Sequence, residues 1–418
     1  MPFQNEIRKT YYAFERKMTV VRLMKGVAII GAGITKFGKR DDASLLDLLF
    51  EASLDAIKDA RIEYERISSI YVANMASGVL NNTLAIASAL ADQLCLVPAA
   101  ADRIENGPAS GGSAIRTAYA AIASGLTDAC LVAGGEKMTH ISGPYVTSTV
   151  AMILEKMYEE KYGISLPAFA ALLTQMYLQR YHIPMEDITR VAVKNHKNGT
   201  LNPIAHFQKE ITMEKAMNSA IISDPLRLFD CCPVSDGASA LVLVNADLAE
   251  NYCDHPIYIT GSGQATDIHA VCQRTDPVYL KAVEIASKQA FTMAKRTPSE
   301  VNVAELHDAF TILEILESEY CGFFEPGTGT RALKEGLTSI NGKIPINPSG
   351  GLKSRGHPWG ATGVAQAYEI VKQLQGKANN QVKNANVGFT INFGGFGNNV
   401  VSHVFENKIA LEEKNRRE

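Results

Sequence analysis

Apolar and polar positions along the chain fall into one pattern that occurs twice. "GVAIIGAG" (26–33) and "PIYITGSG" (256–263) are short apolar runs closing on glycines, the pattern of a buried strand. Each leads into apolar positions at helical spacing, "SLLDLLFEASLDAIKDA" and "DPVYLKAVEIASKQAFTMA", then through a polar link into "ISSIYVANM" and "VNVAELHDAF". Further on, "GPASGGSAIRTAYAAIASGLTDACLVAGGE" (107–136) reads as turn, helix and apolar strand ending in Gly-Gly, and residues 356–395 repeat that order. Each copy closes on one more apolar run, "SALVLV" (239–244) and "NNVVSHVF" (398–405). The unit is strand–helix–strand–helix–strand–strand, βαβαββ, used twice. Such alternation predicts an α/β fold of two similar halves, with mixed, mainly parallel sheets and helices packed on them. It also predicts that two glycine-led helix starts meet between the halves.

The span from about 140 to 225 fits neither copy. It is amphipathic and helical with polar loops, and a long insertion at a strand end is where an active-site cover sits. The expected division is an N-terminal arm over 1–23, an N-terminal half over 24–253 with a loop domain at about 140–225, a C-terminal half over 254–406 and a charged, solvated tail over 407–418. A length of 418 residues suits two domains rather than one core.

Charge changes the picture by exclusion. A net charge of −3 gives no global case for nucleic acid. No apolar run has membrane-spanning length, and the first residues lack the apolar core of a secretory signal. Seven scattered cysteines, with no C-x-x-C pair, read as reduced thiols in the cytoplasm and argue against a metal site. The neighbours Cys231 and Cys232 read as small buried hydrophobes.

Candidate chemistry gathers in a few stretches. In "GGLKSRGHPWGATG" (350–363), glycines let a ligand approach His357, and Pro358 suits the first turn of the following helix. His357 at that positive end is expected to stay neutral and act as a base. "ELHDAFTILEI" (305–315) puts His307 at a strand end, placed to donate to a developing oxyanion. "NFGGFGNN" (392–399) offers the backbone N–H groups of Gly394 and Gly395 to an oxyanion. Asn195, His196 and Lys197 in "KNHKNG" are candidates to meet a phosphate, with a solvated loop as the alternative. Trp359 either narrows a pocket, stacks on an aromatic acyl group or packs in the core. "GAGITKFG" misplaces the third glycine of a dinucleotide fingerprint and reads as a tight turn.

These stretches, with "VAGGEKM", "DPLRLFDCCPVSDGAS" and "GSGQATD", resemble the thiolase superfamily over about 25–405, closest to the archaeal acetoacetyl-CoA thiolase and sterol-carrier-type branch. The resemblance implies a nucleophilic cysteine at the start of the first central helix, in a segment like C-A-S-G. Here that segment is Pro108, Ala109, Ser110 and Gly111, so the nucleophile position carries Pro108, which also lacks the amide hydrogen. Ser110 is a weak replacement, turned by about 200° from Pro108 on a helix. The cysteines that relatives use in the condensing step are absent as well, at Ala309 and near Asn392–Gly395.

The resemblance implies an acyl-CoA enzyme that makes or breaks a carbon–carbon bond, with coenzyme A or acyl-CoA as substrate and no covalently bound cofactor. His307 and His357 would carry the chemistry without the usual acyl-enzyme. Two alternatives accompany it: a retro-aldolase-type acyl-CoA lyase working with an OB-fold partner, and a non-catalytic scaffold subunit. A homodimer, a small OB-fold zinc-ribbon protein and a related synthase are the implied partners.

Overall fold

The computed structural model describes residues 25–416. The arm expected over 1–23 lies outside the described residues. Nine strands form one sheet in the order β3-β2-β4-β7-β1-β8-β11-β10-β9. The first half supplies β1 (Val27–Ile34), β2 (Ser69–Ala73), β3 (Ala100–Ile104), β4 (Ala129–Glu136) and β7 (Gly237–Asn245). The second supplies β8 (Ile257–Thr266), β9 (Val303–Glu305), β10 (Val387–Gly394) and β11 (Asn399–Glu406). A separate hairpin joins β5 (Ile221–Ser223) to β6 (Leu226–Arg227).

Within each half every strand points one way except the last, β7 or β11. Because that reversed strand sits inside the order, most neighbouring pairs are antiparallel although most strands of a half are parallel. The halves join where β1 and β8 pair antiparallel at Ala28↔Tyr258 and Ile29↔Ile257.

The helices divide into outer and central ones. Helix α1 (Leu45–Ala60) starts at a capping box between Ser44 and Asp47 and turns Leu48, Leu49, Ala52 and Ala56 onto the first half of the sheet. Gly31 and Gly33, read from the sequence as a tight turn, lie inside β1. A Cβ on either would stand 2.2–2.3 Å from a carbonyl oxygen of α1, so they serve close helix–strand approach.

Helices α2 (Ser110–Ala123) and α8 (Thr362–Leu374), the expected pair of glycine-led starts, lie at the centre and touch strands of both halves and each other. Between them in sequence come α3 (Gly143–Ala151), α4 (Leu166–Tyr181) and α5 (Met185–Gly199) of the inserted span, α6 (Lys281–Ala294) on β8 and β11, and α7 (Thr311–Tyr320). Phe169, Leu173 and Tyr177 of α4 join the apolar cluster of the second half, which seats the insertion on that half.

The charged tail forms a helix, α9 (Lys408–Asn415), most of whose described residues are exposed or half-buried. Asn407 caps it, Ala410 is buried, and the Ala410 carbonyl accepts from Arg296 Nη2 at 2.8 Å. Among the described residues no helix is long and apolar enough to cross a membrane.

The central contact is glycine on glycine. A Cβ on Gly111 would stand 2.7 Å from the backbone nitrogens of Gly363 and Val364. Gly111→Val is therefore expected to lower stability by about 1–3 kcal/mol or more, as overpacking against backbone does. Urea denaturation of the variant beside the parent checks this.

Candidate active site

Strand β9 ends at Glu305, and the chain then turns His307 into the interior. The turn is fixed by buried partners: Leu306 N–H donates to Asn347 Oδ1 at 2.8 Å and His307 N–H to Glu317 Oε2 at 2.7 Å. Asp308 accepts from Leu352 N at 2.7 Å and from Asn195 Nδ2 at 2.7 Å, which ties this turn to the segment leading to His357. Burial, with Glu314 next, raises the Asp308 carboxyl to about 7.

The hydrogen bonds around His307 assign its proton. Asn392 Oδ1 accepts from Gly112 N at 2.9 Å, which turns its amide nitrogen the other way, toward Pro108 O at 3.1 Å and His307 Nδ1 at 3.3 Å. Phe393 N–H also faces His307 Nδ1, at 3.4 Å. With two donors on Nδ1, that atom is the acceptor and the ring hydrogen sits on Nε2.

His357 carries the opposite arrangement. Thr362 has one hydroxyl hydrogen and gives it to Pro358 O at 2.9 Å. Its contact with His357 Nδ1, at 2.7 Å, therefore has the ring as donor and leaves Nε2 as a bare lone pair. The two rings stand edge to face, centroids 4.9 Å apart. One histidine is a donor and the other an acceptor, side by side.

Both rings are neutral. Burial first, then Arg355, holds His357 down at about 3. Burial, followed by His357 and Arg355, holds His307 well below the usual imidazole range. The cause differs from the expected one. Helix α8 starts at Thr362 rather than at Pro358, because Pro358–Ala361 forms a separate turn closed by Ala361 N to Pro358 O at 3.0 Å. His357 thus lies before the helix start, and desolvation does what the helix end was expected to do.

A cavity of about 140 Å³ opens on both rings. Pro108 lines it, one turn before α2, together with Trp359, Gly395, Cys231 and Cys232. Val146, Thr147, Val150, Leu166 and Pro167 of the inserted span form the facing wall. Burial pushes both thiols up to about 12, so they stay protonated and poorly nucleophilic. Trp359 is also packed against the apolar cluster around Met138 and Val146.

Other candidates fall elsewhere. Ser110 Oγ donates to Gly107 O at 2.5 Å and accepts from Asn106 N at 2.9 Å, so it closes the turn and does not line the cavity. Gly394 packs against the Asn106–Ala109 turn rather than the cavity. Asn195, His196 and Lys197 are not in a loop but in α5. Asn195 is buried on Asp308 and Glu314, and His196 stacks on Phe207. Lys197 is exposed, and none of the three lines the cavity.

Three positioning groups carried no sequence signal as chemistry. Asn392 and Thr362 set the two ring hydrogens. Glu136, fully buried, accepts from Met75 N, Ala76 N and Gly360 N, each at 3.0 Å, and so clamps the turn that carries Trp359. Burial pushes its carboxyl up against the pull of those amides.

Comparison with known proteins covers nearly the whole chain. The family profile "Thiolase, N-terminal domain" matches residues 27–247, and "Thiolase C-terminal domain-like" matches 263–407. The acetyl-CoA acetyltransferase of Methanothermobacter thermautotrophicus is 43% identical over 383 residues, 91% of this chain and 100% of that protein. Sterol carrier protein 2 of Bos taurus is 31% identical, over 89% of this chain and 70% of its own length. Among solved structures, the Ltp2-ChsH2(DUF35) aldolase superposes with a TM-score of 0.80 at 25% identity, covering 92% of this chain and 99% of that one.

A neutral buried His357 has a pH signature. An imidazole with a free value near 6.5 and a folded value of about 3 binds more protons unfolded than folded in between. Its contribution is complete above pH ~6.5 and is lost as pH falls toward ~3. The parent should therefore lose stability relative to His357→Gln by up to about 1.4 kcal/mol per pH unit across that window. Urea melts at pH 7, 6, 5 and 4 measure the difference, and parallel curves would refute the neutral assignment.

Proposed function

The chain belongs to the thiolase family, and on that footing we propose that it forms or breaks a carbon–carbon bond beside the carbonyl of an acyl-CoA thioester, without an acyl-enzyme at position 108. The observation that carries this reading is the histidine pair, with its hydrogens oppositely placed, facing one cavity whose helix start holds Pro108. His357 Nε2 removes the proton next to the thioester carbonyl. His307 Nε2–H donates to the thioester oxygen as negative charge builds there. The enolate carbon then attacks the carbonyl carbon of a second molecule. With a thioester as that molecule, coenzyme A leaves as thiolate and takes the proton from His357, which is acyl transfer. With an aldehyde or ketone, the alkoxide takes that proton, which is an aldol step, and in reverse a lyase. Neither route needs a thiol on the enzyme.

The aldol route is the second reading, supported by the likeness to the Ltp2-ChsH2(DUF35) aldolase. The DUF35 protein in that structure's name supports a second protein partner here, for which the small OB-fold zinc-ribbon protein is our candidate, beside a homodimer, the closed symmetry that oligomers favour. Acyl-CoA would enter between the inserted span and the two halves, where the cavity has its two walls. The unpaired cysteines suit a cytoplasmic enzyme.

His357→Ala is expected to lower turnover of an accepted acyl-CoA by about two to four powers of ten. Pro108→Cys restores both a thiol and an amide hydrogen at a helix start. Mass spectrometry after incubation with acetyl-CoA should find a +42 Da adduct, about the mass of an acetyl group, on that variant and none on the parent. An adduct on the parent would show that a nucleophile survives. Sedimentation at micromolar concentration should give at least a dimer, and a species at the 45.3 kDa of one chain would contradict it.

A further inference from the structure

The walls of the cavity say what kind of acyl group belongs there. Away from the two histidines, the space is bounded by Val146, Val150, Phe310, Leu313, Phe393 and Phe396. Among the described lining residues there is no Asp, Glu, Lys or Arg. Two buried cations lie close by, Lys353 donating to the Cys231 carbonyl and Arg355 facing Glu305 Oε2 at 3.4 Å, and neither lines the space. A free carboxylate carried inside would be desolvated with no cation to pair it. A space of about 150 Å³ is enough to take up a benzene ring, and the volume of this partly open cavity is about 140 Å³. An acetyl methyl group would leave most of that space without contacts, and unfilled space forfeits dispersion.

We propose that the substrate carries an uncharged, apolar group of ring size on its acyl portion, such as phenyl, cyclohexyl or a branched chain of about six carbons. The inference rests on the acyl-CoA reading above and adds the class of acyl group. Trp359 and Phe310 give this group flat walls, and Val150 and Thr147 on α3 close it from the inserted span. Val150 is half-buried and Thr147 exposed, so their side chains can be enlarged without rebuilding the core.

Titration calorimetry with coenzyme A, acetyl-CoA, glutaryl-CoA and 3-phenylpropanoyl-CoA tests the proposal on binding alone. The phenyl thioester should bind about tenfold or more tighter than acetyl-CoA, from the apolar area it buries, and glutaryl-CoA no tighter than acetyl-CoA. Val150→Trp, filling the cavity, should erase the phenyl preference, with acetyl-CoA affinity of the same variant as the reference. Thr147→Phe is the second filling variant should the first not fold. Equal affinity for acetyl- and phenylpropanoyl-CoA would overturn the proposal, as would a preference that both filled variants keep. Failure of coenzyme A and every thioester to bind would overturn the acyl-CoA reading itself.

Discussion

Everything at the centre of this protein depends on how closely two helices can approach. Helices α2 and α8 meet through backbone. A Cβ on Gly363 would lie 2.3 Å from Gly112 N and 2.2 Å from Asn392 Oδ1. Side chains at these points would push the helices apart by more than packing could recover. Held this close, the segments before the two helix starts fall at one place, Pro108 from one and His357 from the other. Asn392 fills the remaining gap and bonds to both the α2 start and His307.

That contact also explains why the fold accepts a proline where the resemblance puts a nucleophile. Amides ahead of a helix have no intrahelical partner, so losing one breaks no helical hydrogen bond. The following amides are already satisfied, Ala109 N on Asn106 O at 3.0 Å and Ser110 N on Gly107 O at 3.1 Å. Pro108 brings neither a reactive side chain nor an amide donor to the cavity, and the turn around it is fully bonded. The hydrogens of the two histidines are set by other residues: a hydroxyl with one hydrogen, and an amide whose oxygen is already engaged.

The duplicated unit was legible because its signal is periodic and long. Alternating apolar runs and helical spacing report burial directly, so eight of the nine sheet strands, α1 and the two central helices stood out, whereas β3, whose residues are only partly buried or exposed, did not. His307 and His357 were legible because glycines and a strand end frame them. The stretch around Asn195 misled, since charge and polarity look alike in a loop and along the C-terminal part of a helix such as α5. Only packing on Asp308 and Phe207 distinguishes them. Helix α9 was missed for a related reason. Ala410, the buried residue among those described in it, is too small to mark an apolar stripe among charged neighbours. Asn392, Thr362 and Glu136 were illegible as chemistry because each acts through a partner far along the chain, or through a single hydrogen, and no local spacing encodes that.

The bond between Gly112 and Asn392 spans 280 positions of the chain. At roughly 5–20 residues per second, a ribosome needs about 15–55 seconds to travel that distance. For most of that interval α2 exists without its partner helix, which begins only at Thr362. A surface of small residues and exposed backbone offers little for other chains to grip. The glycines that allow the final contact leave that part of α2 with little apolar side-chain area exposed while it waits for its partner.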